Sequence, residues 1–325
     1  MNSLLFNREY IAEYYNCSGR TYEEWNTLGQ QSPLLGLVFI FFGFVYLTML
    51  LPFMVVLVKS DLMKYSCYKI MFFIGISDCF QIPIGGFYCG YSMIIGMVYC
   101  MSPTSNYIIG NLSIASWCSS STACMFLAIN RCVDVVSPNL RRKLFSGKKT
   151  LVWLLIPITY SFYCFYFHTT ITFNSAMVGF FFDPFVGTPE RNGTVDSEHA
   201  SYFYPHMVQS VHNVIVVVVL FVAYAFLIIY FFVKTAKSED SVRMSKVQRQ
   251  LLMQCCLICI GTFFSSLVYV YMQFIPPPVW LVICAHIGWQ FSQGAAGISY
   301  AFFNSTMKTE FLKIFCSNFG AVPTY

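Results

Sequence analysis

The chain has 325 residues, of which 57% are hydrophobic, 19% aromatic and only 10% charged, with a net charge of +5. A soluble domain carries roughly 25% charge, so a disordered protein, a collagen-like one and nearly any soluble enzyme of this size are excluded. The basic excess is not gathered on one face but scattered between apolar runs, which argues against nucleic acid as a partner and for a chain that lives in a lipid bilayer.

Residues 1–33 form a tail before the first apolar run. It lacks a basic start followed by an apolar stretch and a small-residue cleavage site, so the first membrane helix is expected to serve as its own insertion signal. Pro33–Val58 carries no charge, Ile70–Asn130 carries only Asp78, and Thr150–Phe182, His199–Val233 and Gln250–Met307 carry none. A spanning helix needs about 20 apolar residues. Three runs therefore hold one helix each and the two longest hold two. The first long run turns at Met101–Asn106, rich in Ser and Pro, and the second at Pro276–Pro278. The predicted helices are 34–58, 68–96, 107–133, 150–172, 206–233, 250–275 and 280–303, within a bundle spanning 34–303. Segments such as Val214–Phe232 are apolar all round, unlike the two-residue alternation of barrel strands. The fold class is an all-α membrane protein, a seven-transmembrane helix bundle.

Seven crossings place the ends on opposite sides. With the N-terminus outside, sixteen of the nineteen basic residues lie inside, and only Arg8, Arg20 and Arg191 lie outside. This is the distribution expected of cytoplasmic loops. Residues 304–325 then form a cytoplasmic tail. Met307, Phe311, Leu312 and Phe315 with Lys308 and Lys313 make its start amphipathic, suited to a short helix on the inner leaflet. Cys316 beyond it is either a palmitoylation site or a plain thiol.

Two glycosylation sequons, at Asn16 and Asn192, fall outside; those at Asn111 and Asn304 fall in or below the membrane. Most of the 14 cysteines read as buried thiols. Cys17 and Cys100 lie on the oxidising side and are a candidate disulfide, with Cys89 and Cys284 as less convenient competitors. No HExxH, GxSxG or GxxxxGK[ST] occurs, no metal-type cysteine pair has a matching second half, and helix seven has no lysine for a retinal Schiff base. An enzyme is not expected.

Asp78 is the one acid within a span. It is either a protonated group bonded to a neighbouring helix or a functional polar centre, and Pro83 beyond it is expected to kink helix two. Arg131 closes helix three, as a membrane anchor or a switch, with Asp134 one turn on as a partner.

Seven helices with an external N-terminus and Asn130-Arg131-Cys132 at the base of the third resemble a G-protein-coupled receptor. Tyr15-Asn16-Cys17-Ser18, Ile74-Gly75-Ile76-Ser77-Asp78, Leu127 through Cys132, and Ile298 through Asn304 narrow the resemblance to the nematode serpentine chemoreceptors, class T. That resemblance implies a rhodopsin-like architecture, a small external ligand, a heterotrimeric G protein as partner, and a multi-pass protein of the plasma membrane, in a sensory cilium. It matches Arg131 to the arginine of the Asp/Glu-Arg-Tyr motif, with Asn130 in place of the acid and Asp134 as a substitute. Asp78 and Ser120 match the sodium pocket of rhodopsin-like receptors, implying Na+ near Asp78. Trp153 fits the helix-four tryptophan, and Tyr300 with Gly297 has the spacing of the helix-seven motif, without its proline. Counting back from Arg131 puts Ser113, Ile114 and Trp117 at pocket height. Tyr88, Tyr91, His286, Trp289 and Gln290 are further pocket candidates, each with a packing or membrane-belt role beside it. No charged side chain lies in the upper helices, so the expected ligand is neutral or weakly polar. A ligand-gated channel or a transporter is the alternative, although no internal repeat divides the chain.

Overall fold

A computed structural model describes residues 1–188, 207–237, 246–275 and 277–316. The expectations for Arg191, Asn192 and Pro276 lie outside the described residues, as does the Cys316 side chain. Six helices among the described residues are long and apolar enough to cross a membrane: Pro33–Lys59, Ser66–Ile95, Pro103–Val136, Lys149–Phe167, Met207–Tyr230 and Leu252–Phe274. The seventh, Val279–Phe303, has 25 residues, about 37 Å of helix. Its polar residues His286, Gln290, Ser292, Gln293 and Ser299 lower its apolarity, and all five are buried inside the bundle. These seven are called the first to seventh spans.

Each helix starts where its sequence permits. Pro33 and Pro103 sit in the first turn of their spans, where a missing N–H costs nothing. The second span stops at Gly96, whose φ of 73° is the left-handed conformation of a helix C-cap. Within that span, Pro83 supplies no N–H to the preceding turn. The helix widens there into a π segment, Pro83–Tyr88, flanked by Ser66–Ile82 and Cys89–Ile95. The expected single helix over 68–96 is thus interrupted by one π turn.

The third span is the axis. Of its most apolar window 78% is buried, against 28% for the first and fifth spans and 22% for the fourth. Those outer spans present Leu37, Phe41, Phe44, Leu155, Phe162, Val218, Phe221 and Ile228 outward, as a bilayer-facing surface must. A short helix, Pro138–Phe145, follows the third span, capped by Ser137. Another, Ser305–Cys316, follows the seventh and packs Phe311 against Phe53 at 5.5 Å between ring centroids.

The fourth span ends at Phe167, five residues before the expected 172. The chain there turns into a hairpin, β1 (Thr172–Asn174) against antiparallel β2 (Gly179–Phe181), with Phe173 opposite Phe180. Its β-branched Thr170 and Thr172 favour extended backbone, and Asn174 Oδ1 accepts from the N–H groups of Ala176 and Met177 to form the turn. Thr170 Oγ1 donates to the Tyr107 carbonyl at 3.0 Å, and Phe173 N–H donates to Asn106 Oδ1 at 3.3 Å. The hairpin is thereby held against the third span.

Above it lies the N-terminal tail, in three short helices, Asn2–Phe6, Arg8–Tyr14 and Tyr22–Asn26. A reciprocal box between Thr21 and Glu24 starts the last of these. Cys17 and Cys100 are joined by a disulfide, Cα–Cα 5.4 Å, which ties the tail to the segment before the third span. Cys89 is a buried free thiol and Cys284 an exposed one. Tyr15, Trp25, Tyr99 and Tyr107 pack around the bridge, and Trp25 Nε1 donates to the Cys17 carbonyl at 3.1 Å. This disulfide end and the opposite Arg131 end define the two faces of the bundle.

Close approach of the first span to the π segment requires glycine on both sides. A Cβ on Gly43 would lie 2.9 Å from Gly86 Cα, and one on Gly86 would lie 2.7 Å from Gly43 Cα. Gly86→Ala is expected to destabilise the protein by about 1–3 kcal/mol, lowering the thermal midpoint of detergent-solubilised protein. Gly19→Ala, where no atom lies within 4 Å, should leave it unchanged.

Candidate functional site

Near the disulfide end the third, fifth, sixth and seventh spans and the hairpin enclose a cavity of about 190 Å³. Ser113, Ile114 and Trp117 line it from the third span and Trp289 from the seventh. The fifth contributes Gln209 and Asn213, the sixth Tyr269, Met272 and Gln273, and the hairpin region Ile171, Phe180, Phe181, Phe182 and Asp183. Four of the eight residues expected at the pocket are thus brought together.

The other four lie elsewhere. Tyr91 is 55% exposed and faces outward. Tyr88 is half-buried and donates to Asn106 Oδ1 at 2.8 Å, behind the hairpin. His286 and Gln290 are buried and turn toward the π segment of the second span. His286 Nε2 lies 3.1 Å from the Gly85 carbonyl, and Gln290 Nε2 donates to the same oxygen at 2.6 Å. No charged helix residue lines the cavity, as expected, but Asp183 reaches its lining from the loop after the hairpin.

Residues that the sequence reading missed carry a detectable signal. Gln209, His212 and Asn213 interrupt an otherwise apolar fifth span at helical spacing, and all three are buried. Trp117 Nε1 donates to Asn213 Oδ1 at 3.1 Å, Gln209 Nε2 donates to the same oxygen at 3.1 Å, and Ser121 Oγ pairs with His212 Nε2 at 2.8 Å.

Below the cavity, polar side chains of the second, third and seventh spans face one another. Gln293 Nε2 donates to Gln81 Oε1 at 3.4 Å, and Gln81 Nε2 to the Ser116 carbonyl at 3.2 Å. Ser77 bonds Ser119 at 3.3 Å, and Ser120 Oγ donates to Asp78 Oδ1 at 3.4 Å. Asp78 Oδ2 and Ser299 Oγ are buried with no partner among the described residues. These hard oxygens are of the kind a Na+ ion takes. No group of three or more His, Cys, Asp or Glu able to hold a metal occurs among the described residues.

At the Arg131 end the buried guanidinium donates to Asn130 Oδ1 at 2.5 Å and pairs with Asp134 at 3.3 Å. Asp134 also pairs with Arg141 of the short Pro138–Phe145 helix at 3.1 Å. Asn130 Nδ2 donates to Ser66 Oγ at 3.1 Å, so Asn130 both accepts from the guanidinium and bridges the third span to the second. Tyr300 is fully buried, with its hydroxyl 3.4 Å from the Met71 carbonyl. Asn304 Nδ2 reaches both Tyr68 and Gln254 at 3.1 Å, tying the seventh span to the second and sixth. Trp153 stacks on Phe145 and donates to the Leu144 carbonyl at 3.1 Å. Asn16 is exposed, and its Oδ1 accepts from Ser18 N–H at 2.9 Å.

Residues 2–322 match the family described as serpentine type 7TM GPCR chemoreceptor Srt. The chain is also similar to Serpentine receptor class T-55 of Caenorhabditis elegans, 28% identical over 302 residues, which covers 92% of this chain and 80% of that protein. The chain belongs to the Srt family of serpentine chemoreceptors, and it is a multi-pass membrane protein.

A titratable group outside the spans packs against the cavity residue Phe182. Burial holds the His168 ring below the ordinary histidine value, against a smaller upward pull from its bond to the Thr169 carbonyl at 2.8 Å. The ring packs 5.9 Å from Phe182, a cavity residue. Below about pH 6.5 the unfolded chain protonates this ring while the folded chain resists, so stability is complete above that pH and falls as pH drops through it. The thermal midpoint is expected to fall between about pH 7 and pH 5. The fall should be shallower in His168→Gln.

Proposed function

We propose that the protein is a G-protein-coupled chemosensory receptor of the plasma membrane, in which a small external ligand occupies the cavity near the disulfide end and a heterotrimeric G protein docks at the Arg131 end. The observation that carries this reading is the placement of the two sites. An aromatic and amide-lined cavity sits at one end of the axial third span, and a buried, ion-paired arginine sits at the other. The charge distribution supports the orientation, since sixteen of nineteen basic residues fall on the Arg131 side of the seven crossings. On that side Arg131 and the inner basic loops face the G protein. Family membership supports a sensory cell and its cilium as the site of action.

The mechanism is a population shift. A ligand favours whichever helix arrangement it binds more tightly, and only its differential affinity moves the equilibrium. Arg131 is held in the resting arrangement by Asp134, which takes the part of the missing acid at Asn130, while Arg141 shares that carboxylate. Asn304 holds the ends of the second, sixth and seventh spans together. Release of these contacts opens a cleft between the fifth and sixth spans for the Gα subunit. Asp78 and Ser120 form the polar centre between the two ends, and their oxygens would hold a Na+ ion there.

In membranes from cells expressing the receptor with a heterotrimeric G protein, a screened agonist is expected to drive nucleotide exchange on Gα. Arg131→Ala should lower that exchange at least about tenfold, a loss of the size that removing a buried charge-assisted contact produces. Asp134→Asn should raise agonist-free exchange. An agonist-gated current with no exchange contradicts the proposal and makes the protein a channel.

A further inference from the structure

The amides of the cavity wall have committed their oxygens and kept their N–H groups. An indole nitrogen can only donate, so the Asn213 atom 3.1 Å from Trp117 Nε1 is the oxygen. An oxygen engaged there cannot donate, so the Gln209 atom 3.1 Å from it is Nε2. One indole thereby fixes the orientation of two amides. Asn213 Oδ1 has both lone pairs occupied. Gln209 Oε1 accepts from the Cys118 thiol at 3.6 Å, and Gln273 Oε1 accepts from the Ser210 hydroxyl. Asn213 Nδ2 and Gln273 Nε2 make no hydrogen bond among the described residues, and both side chains line the cavity. The fifth and sixth spans thus offer donors. Trp117, Phe180 and Trp289 supply aromatic surface.

We infer that the cavity takes a small uncharged molecule with an accepting oxygen, a ketone, aldehyde or ester, whose oxygen meets Asn213 Nδ2 and whose hydrocarbon body lies on Trp117, Phe180 and Trp289. This rests on the cavity being the ligand site and names the class of ligand. A buried donor left without an acceptor is penalised, so hydrocarbons without an oxygen bind less well. A carboxylate accepts well but must give up its hydration in a space whose lining residues include no Lys, Arg or His. An ammonium group gains nothing from Asn213 and Gln273, whose free atoms are donors. Asp183 Oδ1 already accepts from Phe185 N–H at 3.0 Å.

The test uses the full chain in nanodiscs and two matched probe series. One is cyclohexanone, cyclohexanol, cyclohexylammonium, cyclohexanecarboxylate and cyclohexane. The other is the phenyl series headed by acetophenone. Binding is followed by ligand-observed nuclear magnetic resonance and by thermal shift. The ketone of each series is expected to bind best and the two ions worst. Asn213→Asp is close to isosteric and keeps an oxygen for Trp117 and Gln209, but replaces the free donor with an acceptor. It should weaken the ketones about tenfold, the scale of one lost hydrogen bond, and leave cyclohexane unchanged. Preference for an ammonium or carboxylate probe, ketone affinity indifferent to Asn213→Asp, or no binding by any member of either series would overturn the inference. Trp289→Ala separates the two levels of the claim. If it abolishes binding of an ammonium probe, the cavity stands and only the ligand class falls. If it leaves every bound probe unaffected, the cavity itself is not the site.

Discussion

Hydrocarbon solvates neither a hydrogen-bond donor nor an acceptor, so a polar side chain in a membrane helix is stable only when it faces another one. This constraint organises the bundle. Ser113, Ser116, Ser119, Ser120, Ser121 and Thr122 of the third span are all buried. Ser119 meets Ser77 and Ser120 meets Asp78 of the second span, the Ser116 carbonyl accepts from Gln81, and Ser121 meets His212 of the fifth. The first and fourth spans bury little and present apolar side chains outward. The third span is central because its buried polar side chains take partners on both the second and the fifth spans.

The π segment of the second span shows how one backbone irregularity joins the two ends. A Cβ on Gly85 would lie 3.1 Å from the Trp289 ring and 3.4 Å from Gln290 Cγ, so the segment packs directly against a cavity residue. The Gly85 carbonyl takes two donors from the seventh span, His286 and Gln290. One turn further on, Gln293 reaches Gln81, and Gln81 reaches Ser116 beside the Asp78 centre. In the proposed receptor, a ligand that shifts Trp289 therefore acts on contacts running continuously from the cavity toward Asp78. Lipid outside the bundle offers these groups no alternative partner, so displacement of one must be answered by its neighbours.

Much of this was legible in the sequence, and the parts that were not have identifiable causes. Charge-free length locates the spans because an ion in hydrocarbon is costly. The pairing of Arg131 with Asp134 follows from one helical turn of spacing within an unbroken helix. Ser113 and Trp117 were placed by counting along that same helix, whose regularity keeps the count true. Of the candidates on the second span, Tyr88 ends the π segment and Tyr91 follows it, where the helical repeat changes, and neither lines the cavity. One extra residue rotates all that follows by about 100°. The hairpin went unseen, and its approach up to Thr172 was read as the end of the fourth helix, because the run to Phe182 carries no charge and a count of charges cannot tell a strand from a span. Asp183 lies in the loop beyond the hairpin, and only the hairpin fold brings it to the cavity. The seventh span was found by length despite its polarity, which proved to be the polarity of an inward face.

The account stands on an odd number of crossings, which sets the cavity and Arg131 on opposite sides of the bilayer. The most direct measurement is antibody accessibility of distinct epitope tags at the two termini in unpermeabilised cells. The N-terminal tag is expected to stain and the C-terminal tag to stain only after permeabilisation. Staining of both tags, or of neither, before permeabilisation would place both termini in one compartment and contradict the account.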